Sequence, residues 1–250
     1  MVGLKARIAA GDALLGTFIK TPHPHVVEVL ASTDLDCLCI DAEHAPFDRR
    51  DIDGCILAAR SAKMPILVRT ASAAAEQILN ALDCGADGVV VPHVRSAAEA
   101  RALAQYAQYG PGGRGYAGSS RAAGYGSSAM PDHLDASAAR TIVVAQIEDA
   151  EAIDEIDAIA AVEGIDTLFI GRIDLTIALG CNNPDDPQVI DAVEHIVARC
   201  VAAARPVGMF VSRAADVPSW RAKGVRLFLL QSDHVFLRDG AAALRRSAGL

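Results

Sequence analysis

Gln146 and Glu148 stand two residues apart at the end of an apolar run, Thr141 to Ile147, that reads as a β-strand. Side chains alternate along a strand, so these two point one way and Ile147 the other. A carboxylate on a buried face is costly unless it is paired or coordinates a metal. Asp174, just past the next apolar run, Thr167 to Ile170, is the natural second ligand. Two carboxylates with no adjacent His or Cys make an oxygen-rich site, suited to Mg²⁺ or Mn²⁺ completed by water and a bidentate substrate, with Co²⁺ a further candidate. The plainer alternative is that Glu148 caps a helix starting near Ala150 and Asp174 caps a short turn.

Other polar residues collect at similar points. His44 follows the run Cys37 to Ala42 and is the best-placed general base, with Asp41 or Asp83 to orient it; a surface histidine is the alternative. Arg69 closes Pro65 to Arg69 with a permanently charged fork suited to a developing oxyanion, or to an ion pair at a rim. Ser119, Ser120 and Arg121 are candidates for a substrate carboxylate, or ordinary loop polarity. Phe210, near the end of Val207 to Val211, either fills the core or overlooks a site. Of Lys5, Lys20, Lys63 and Lys223, only Lys20 lies just beyond a strand end, and it has no apolar pocket to make it a Schiff-base nucleophile.

What must position these residues is an alternation of short aliphatic runs with amphipathic helical stretches. Eight strands are expected: Leu14 to Ile19, Cys37 to Ala42, Pro65 to Arg69, Gly88 to Pro92, Thr141 to Ile147, Thr167 to Ile170, Val207 to Val211 and Arg226 to Leu230. Eight βα units in 250 residues predict an α/β fold, one (β/α)₈ TIM barrel spanning residues 1–250, with chemistry at the C-terminal ends of the strands. A doubly wound sheet would usually carry a Gly-rich phosphate turn after its first strand, and Thr17 to Pro22 is not one. The connection Tyr109 to Arg140 is expected to be a long loop. It holds seven glycines between Gly110 and Gly126, and all four tyrosines fall between Tyr106 and Tyr125, a composition suited to an ordered cover or a subunit contact.

A net charge of −8 argues against nucleic acid or an anionic membrane as partner. The six cysteines lie mostly in apolar segments without zinc spacing and read as reduced core residues. Residues 1–16 lack a long apolar segment, so the expected location is the cytoplasm.

Phe18-Ile19-Lys20, Ile40-Asp41-Ala42-Glu43-His44-Ala45-Pro46-Phe47 and Leu82-Asp83-Cys84-Gly85-Ala86-Asp87-Gly88 resemble the HpcH/HpaI aldolase family. The likeness continues through Gln146-Ile147-Glu148, Phe169-Ile170-Gly171 and Asp174-Leu175-Thr176, and so covers nearly the whole chain. It implies a class II pyruvate-type aldolase, a metal-dependent barrel that interconverts 4-hydroxy-2-oxo acids with a 2-oxo acid, pyruvate or hydroxypyruvate, and an aldehyde. It implies further that Glu148 and Asp174 hold the metal, His44 works on protons, Arg69 stabilises the enolate and Asp83 supports the histidine. Gln146, Ser120 and the backbone from Gly171 to Asp174 match substrate-contact positions, and the family is hexameric. The chain departs from the family at Gly171-Arg172-Ile173-Asp174, where the usual Gly-Pro-Ala-Asp is replaced and Ile173 adds bulk beside the ligand, and at Ala45, where a glycine is usual. The rival readings are a CoA-thioester lyase of the malyl or citramalyl type, a phosphate-handling barrel isomerase and a non-catalytic barrel.

Overall fold

A computed structural model of the chain describes residues 2–249. Its strands are β1 (Leu14–Ile19), β2 (Cys37–Asp41), β3 (Ile66–Arg69), β4 (Gly88–Val91), β5 (Ile142–Ile147), β6 (Thr167–Ile170), β7 (Val207–Val211) and β8 (Leu227–Ser232). They pair in parallel, in sequence order, into a closed barrel. The helices are α1 (Leu4–Ala9), α2 (Pro24–Ala31), α3 (Arg49–Ser61), α4 (Ala75–Asp83), α5 (Ala97–Ala107), α6 (Met130–Arg140), α7 (Glu151–Asp154), α8 (Ile156–Ala160), α9 (Arg172–Ala178), α10 (Pro187–Ala202), α11 (Val217–Lys223) and α12 (Asp233–Ser247).

Period-2 alternation divides the apolar residues between two cores. Leu14, Phe18, Cys37, Cys39, Leu67, Val90, Ile142, Val144, Phe169, Leu227 and Leu229 fill the barrel, and Leu4 and Ile8 of α1 join the same cluster. Their neighbours on the strands, such as Ile40, Val68, Ile147 and Ile170, face outward into the layer of helices. A repeated device sets the register. Asp36, Asp87 and Asp166 each stand one residue before an even-numbered strand, and their carboxylates accept the N–H of Leu15, Ile66 and Val143 at the start of the preceding strand, at 2.8–2.9 Å. Asp233 closes the ring, accepting the backbone N–H groups of Lys20 (2.7 Å) and Thr21 (3.0 Å).

Three expectations change. The Tyr109–Arg140 connection is not all loop: it contains a short 3₁₀ turn at Gly124–Gly126 and then α6, which starts with a Pro near its first position and Asp132 in its first turn. Pro131 is favourable at this helix start, where no intrahelical bond to its nitrogen is needed. The segment after β6 is helix α9 rather than a turn. Ala150–Ala160 is two short helices meeting at Glu155. All six cysteines are free and all but Cys181 are buried. Among the described residues no helix is long and apolar enough to cross a membrane.

Candidate active site

The inward positions at the strands' C-terminal ends converge on one mouth, as in other barrels of this architecture. Its cavity, about 250 Å³, is lined by Phe18, Lys20, His44, Arg69, Gln146, Phe169, Gly171, Arg172, Ile173, Asp174 and Phe210. Phe210 is half-buried, with its ring centroid 6.0 Å from that of Phe18. Ile173 is exposed at the rim. A larger cavity, 520 Å³, around Lys5, Arg60 and Arg140 lies at the opposite end of the strands, beside Pro65, Asp87 and Ile142.

Asp41 is the electrostatic anchor of the mouth. Fully buried at the end of β2, it accepts from Arg69 Nε (3.1 Å) and Nη2 (2.8 Å) through Oδ1, and Lys20 Nζ lies 3.0 Å from its Oδ2. Burial alone would raise this carboxyl, but Arg69, the His44 N–H and Lys20 together hold it below the usual carboxylate range. Arg69 is thereby fixed with its guanidinium over the Phe18 ring, 4.6 Å from the centroid, and Glu43 Oε2 is 3.3 Å from its Nε. Two contacts to Asp41 leave other N–H donors of the fork for a ligand.

Glu148 is 2% exposed just beyond β5. Its Oε1 accepts the backbone N–H of His93 (3.0 Å) and its Oε2 accepts from Gln146 Nε2. Burial raises its carboxyl above the ordinary value; the hydrogen bonds from Gln146 and His93 oppose this only in part, and Glu43 adds repulsion. Gly171 makes room for it, since a Cβ there would lie 2.4 Å from Glu148 Oε2 and 2.9 Å from Glu148 Cβ. Asp174, half-buried in the first turn of α9, lines the mouth, and among the described residues it forms no ion pair. The oxygen donors of Glu148 and Asp174 suit a divalent cation by their chemistry, and the raised buried carboxyl of Glu148 is a group lacking its counter-charge.

His44 lies at the cavity edge with its side chain half exposed and Nε2 3.8 Å from Glu43 Oε2. The expected orienting partners do not touch its ring. Asp41 accepts from the His44 backbone N–H (3.1 Å), which fixes the loop and not the imidazole. Asp83 accepts instead from Arg114 Nη2 (3.0 Å), and it lies with Ser119, Ser120 and Arg121 in a separate cavity of 700 Å³. Asp83 and Ser120 therefore do not join His44 within one chain, because α4 ends on the outer side of the barrel wall, where the Tyr109–Gly126 segment folds over it.

In the sequence His93 stands out only as a histidine after a strand end that could line the site, and Glu43 carries no assigned role. Glu43 shares parity with Asp41, the same two-residue signal that picks out Gln146 and Glu148. His93 follows the end of β4 in a left-handed backbone conformation, φ 58°. Its Nδ1 lies 3.0 Å from Asp149 Oδ2, and Arg95 Nε is 3.3 Å from the same oxygen. Burial would lower the His93 imidazole, but the Asp149 hydrogen bond and the Glu148 charge raise it.

Residues 14–238 match the HpcH/HpaI aldolase/citrate lyase family. The chain belongs to this family. It is 32% identical over 238 residues to a hydroxypyruvate/pyruvate aldolase of Roseovarius nubinhibens, covering 95% of this chain and 93% of the relative. To a 5-keto-4-deoxy-D-glucarate aldolase of Escherichia fergusonii it is 32% identical over 245 residues, covering 97% and 95%. A crystal structure of a family member from Burkholderia cenocepacia superposes with a TM-score of 0.92 at 31% identity, covering 98% of both chains. The chain is an aldolase, a carbon–carbon lyase.

Proposed function

We propose that the chain is a class II aldolase that cleaves or forms 4-hydroxy-2-oxo acids, with pyruvate or hydroxypyruvate as donor and a short aldehyde as acceptor. The observation that carries this reading is the mouth itself, where a guanidinium locked in place by Asp41 shares a small cavity with Asp174 and with Gln146 and Gly171, the neighbours of the buried, under-compensated carboxylate of Glu148. The relatives named for pyruvate, hydroxypyruvate and a keto-deoxy sugar acid support the donor class. A cavity of about 250 Å³ suits reactants of a few carbons rather than a CoA thioester.

Glu148 and Asp174 are the residues we assign to hold Mg²⁺, Mn²⁺ or Co²⁺, which when bound would polarise the 2-oxo group as a Lewis acid. Arg69 donates to the donor's ketone oxygen and gains strength as negative charge develops there, because its orientation is fixed beforehand by Asp41. His44 takes the proton from the aldol hydroxyl in cleavage and returns it in synthesis. Gln146 and the backbone at Gly171 to Asp174 orient the donor, and Phe210 and Ile173 bound the acceptor side of the cavity.

A homo-oligomer, a hexamer by family resemblance, fits two features. α12 is 15 residues long yet buries only Asp233, leaving Leu237 and Leu244 exposed, and Asp83 with Ser120 lies apart from His44. We place the protein in the cytoplasm, where its free thiols stay reduced. The test is turnover of pyruvate and hydroxypyruvate with an aldehyde panel, together with oxaloacetate decarboxylation, in wild type and in Glu148→Gln and Asp174→Asn. Metal-dependent turnover lost in both variants is expected. Full activity and full metal affinity in either variant would overturn the ligand assignment.

A further inference from the structure

Two groups outside the Glu148–Asp174 pair, Glu43 and His93, gather around Glu148. Glu43, His93 and Glu148 each offer a ligand atom, all within 4.8 Å of one another. They come from three different strand ends, β2, β4 and β5. Glu43 has a side chain 90% buried; its Oε1 is 3.6 Å from His93 Nε2, while its Oε2, which lacks a hydrogen-bond partner, lies on the side of Arg69 and His44. The nearby guanidinium of Arg69 is within ion-pair distance of that Oε2 but is aligned on Asp41 instead.

The histidine is arranged as metal-binding histidines are. Such a residue gives one ring N–H to a carboxylate, which fixes the tautomer and leaves the other nitrogen's lone pair for the ion. Here Nδ1 lies on Asp149, itself held by Arg95, and Nε2 faces Glu43. The backbone of the same residue, in its left-handed conformation, donates to Glu148 and so ties imidazole and carboxylate together. Around the mouth, Asp41, Glu43, Glu148, Asp149 and Asp174 face Lys20, Arg69 and Arg95, while the charge of Arg172 goes to Asp185.

We propose that Glu43, His93 and Glu148 form a cation station of mixed nitrogen and oxygen ligands, independent of Asp174, that takes a divalent transition-metal ion. It rests on the reading above only in sharing Glu148. Imidazole suits Co²⁺, Zn²⁺ and Mn²⁺ and gives Mg²⁺ little, so the station separates the metals that the two carboxylates alone treat alike.

The experiment uses full-length, metal-free Asp174→Asn protein titrated with Mn²⁺, followed by calorimetry and by pulsed electron paramagnetic resonance for coupling to ¹⁴N. One equivalent bound, with imidazole nitrogen coupling and with Mg²⁺ competing at least tenfold more weakly, is expected. Adding His93→Gln removes the nitrogen coupling and raises Kd at least tenfold. Adding Glu43→Gln instead raises Kd while the coupling persists, which keeps the test open should the His93 variant fold poorly. Asp174→Asn protein that binds no Mn²⁺, or binds it without nitrogen coupling, overturns the station. Wild-type protein without aldol turnover would sink the proposed reaction and leave the coupling unchanged, so the two failures are distinguishable.

Discussion

Gly171→Ala isolates the geometry on which the carboxylate site depends. Gly171 has φ −85° and ψ 75°, so a side chain there meets no left-handed backbone strain. The obstacle is steric. The new Cβ would lie 2.4 Å from Glu148 Oε2, 2.9 Å from Glu148 Cβ and 3.2 Å from Gln146 Nε2. The carboxylate end of Glu148 can swing away, but its Cβ is tied to the backbone just beyond β5 and cannot. Carbon atoms prefer about 3.5–4.0 Å, so Glu148 or the turn after β6 must move by roughly 0.6–1 Å. Overpacking of this kind costs about 1–3 kcal/mol. At about 2–4 °C per kcal/mol for a chain of this size, Tm falls by roughly 2–12 °C. Misplacing a support of a metal ligand typically costs about 10–100-fold in affinity. The assay is Mn²⁺ calorimetry alongside thermal melting with and without metal. Gly54→Ala is the control: nothing lies within 4 Å of a Cβ there, and alanine in helix α3 should add about 0.5–1 kcal/mol of stability without touching metal affinity. Wild-type Mn²⁺ affinity in Gly171→Ala would refute both the tight cradle and the placing of the ion at Glu148.

His44→Ala should bind Mn²⁺ and pyruvate nearly as wild type does yet lose about two to four orders of magnitude in aldol turnover, read as kcat at saturating donor; unchanged kcat would demote His44. Phe210→Ala should shift aldehyde preference while sparing oxaloacetate decarboxylation, since the ring edges the mouth and packs only on Phe18 among aromatic neighbours; a collapse in Tm would show a core role instead. A strong chelator should abolish aldol activity and Mn²⁺, Mg²⁺ or Co²⁺ restore it, while borohydride with pyruvate leaves Lys20 unmodified, because Lys20 Nζ is engaged with Asp41; a pyruvate-sized adduct on Lys20 with chelator-resistant activity would reverse the mechanism. Asp41 is held below its unfolded value of about 3.9, so its contribution to stability is complete above that pH and is lost as pH falls through the folded value. Wild-type stability should therefore drop more steeply below about pH 4 than that of Asp41→Asn in denaturant titrations, and parallel curves would count against the Asp41 assignment.

How much of this was legible in the sequence follows from what strand periodicity encodes. Alternation marks which residues of β2, β3, β5 and β7 face inward, and the barrel rule says that the last of these meet, so Arg69, Gln146, Glu148 and Phe210 were found together. Neither rule says which partner each charged group takes. Asp83 took Arg114, 31 residues away, because the glycine-rich segment after α5 folds back over α4 and brings a guanidinium to it; nothing in the spacing foretold this. Arg172 was visible only as a departure beside Ile173. In the fold its guanidinium bonds Pro184 and Asp185 and lies over Trp220, with Arg213 on the same Asp185. That network pins the first turn of α9, where Asp174 sits, to the loop before α10 and the loop after β7. Arg172 thus anchors the turn that carries Asp174 through long-range ionic contacts that no spacing in the sequence encodes, and only the three-dimensional neighbourhood reveals them.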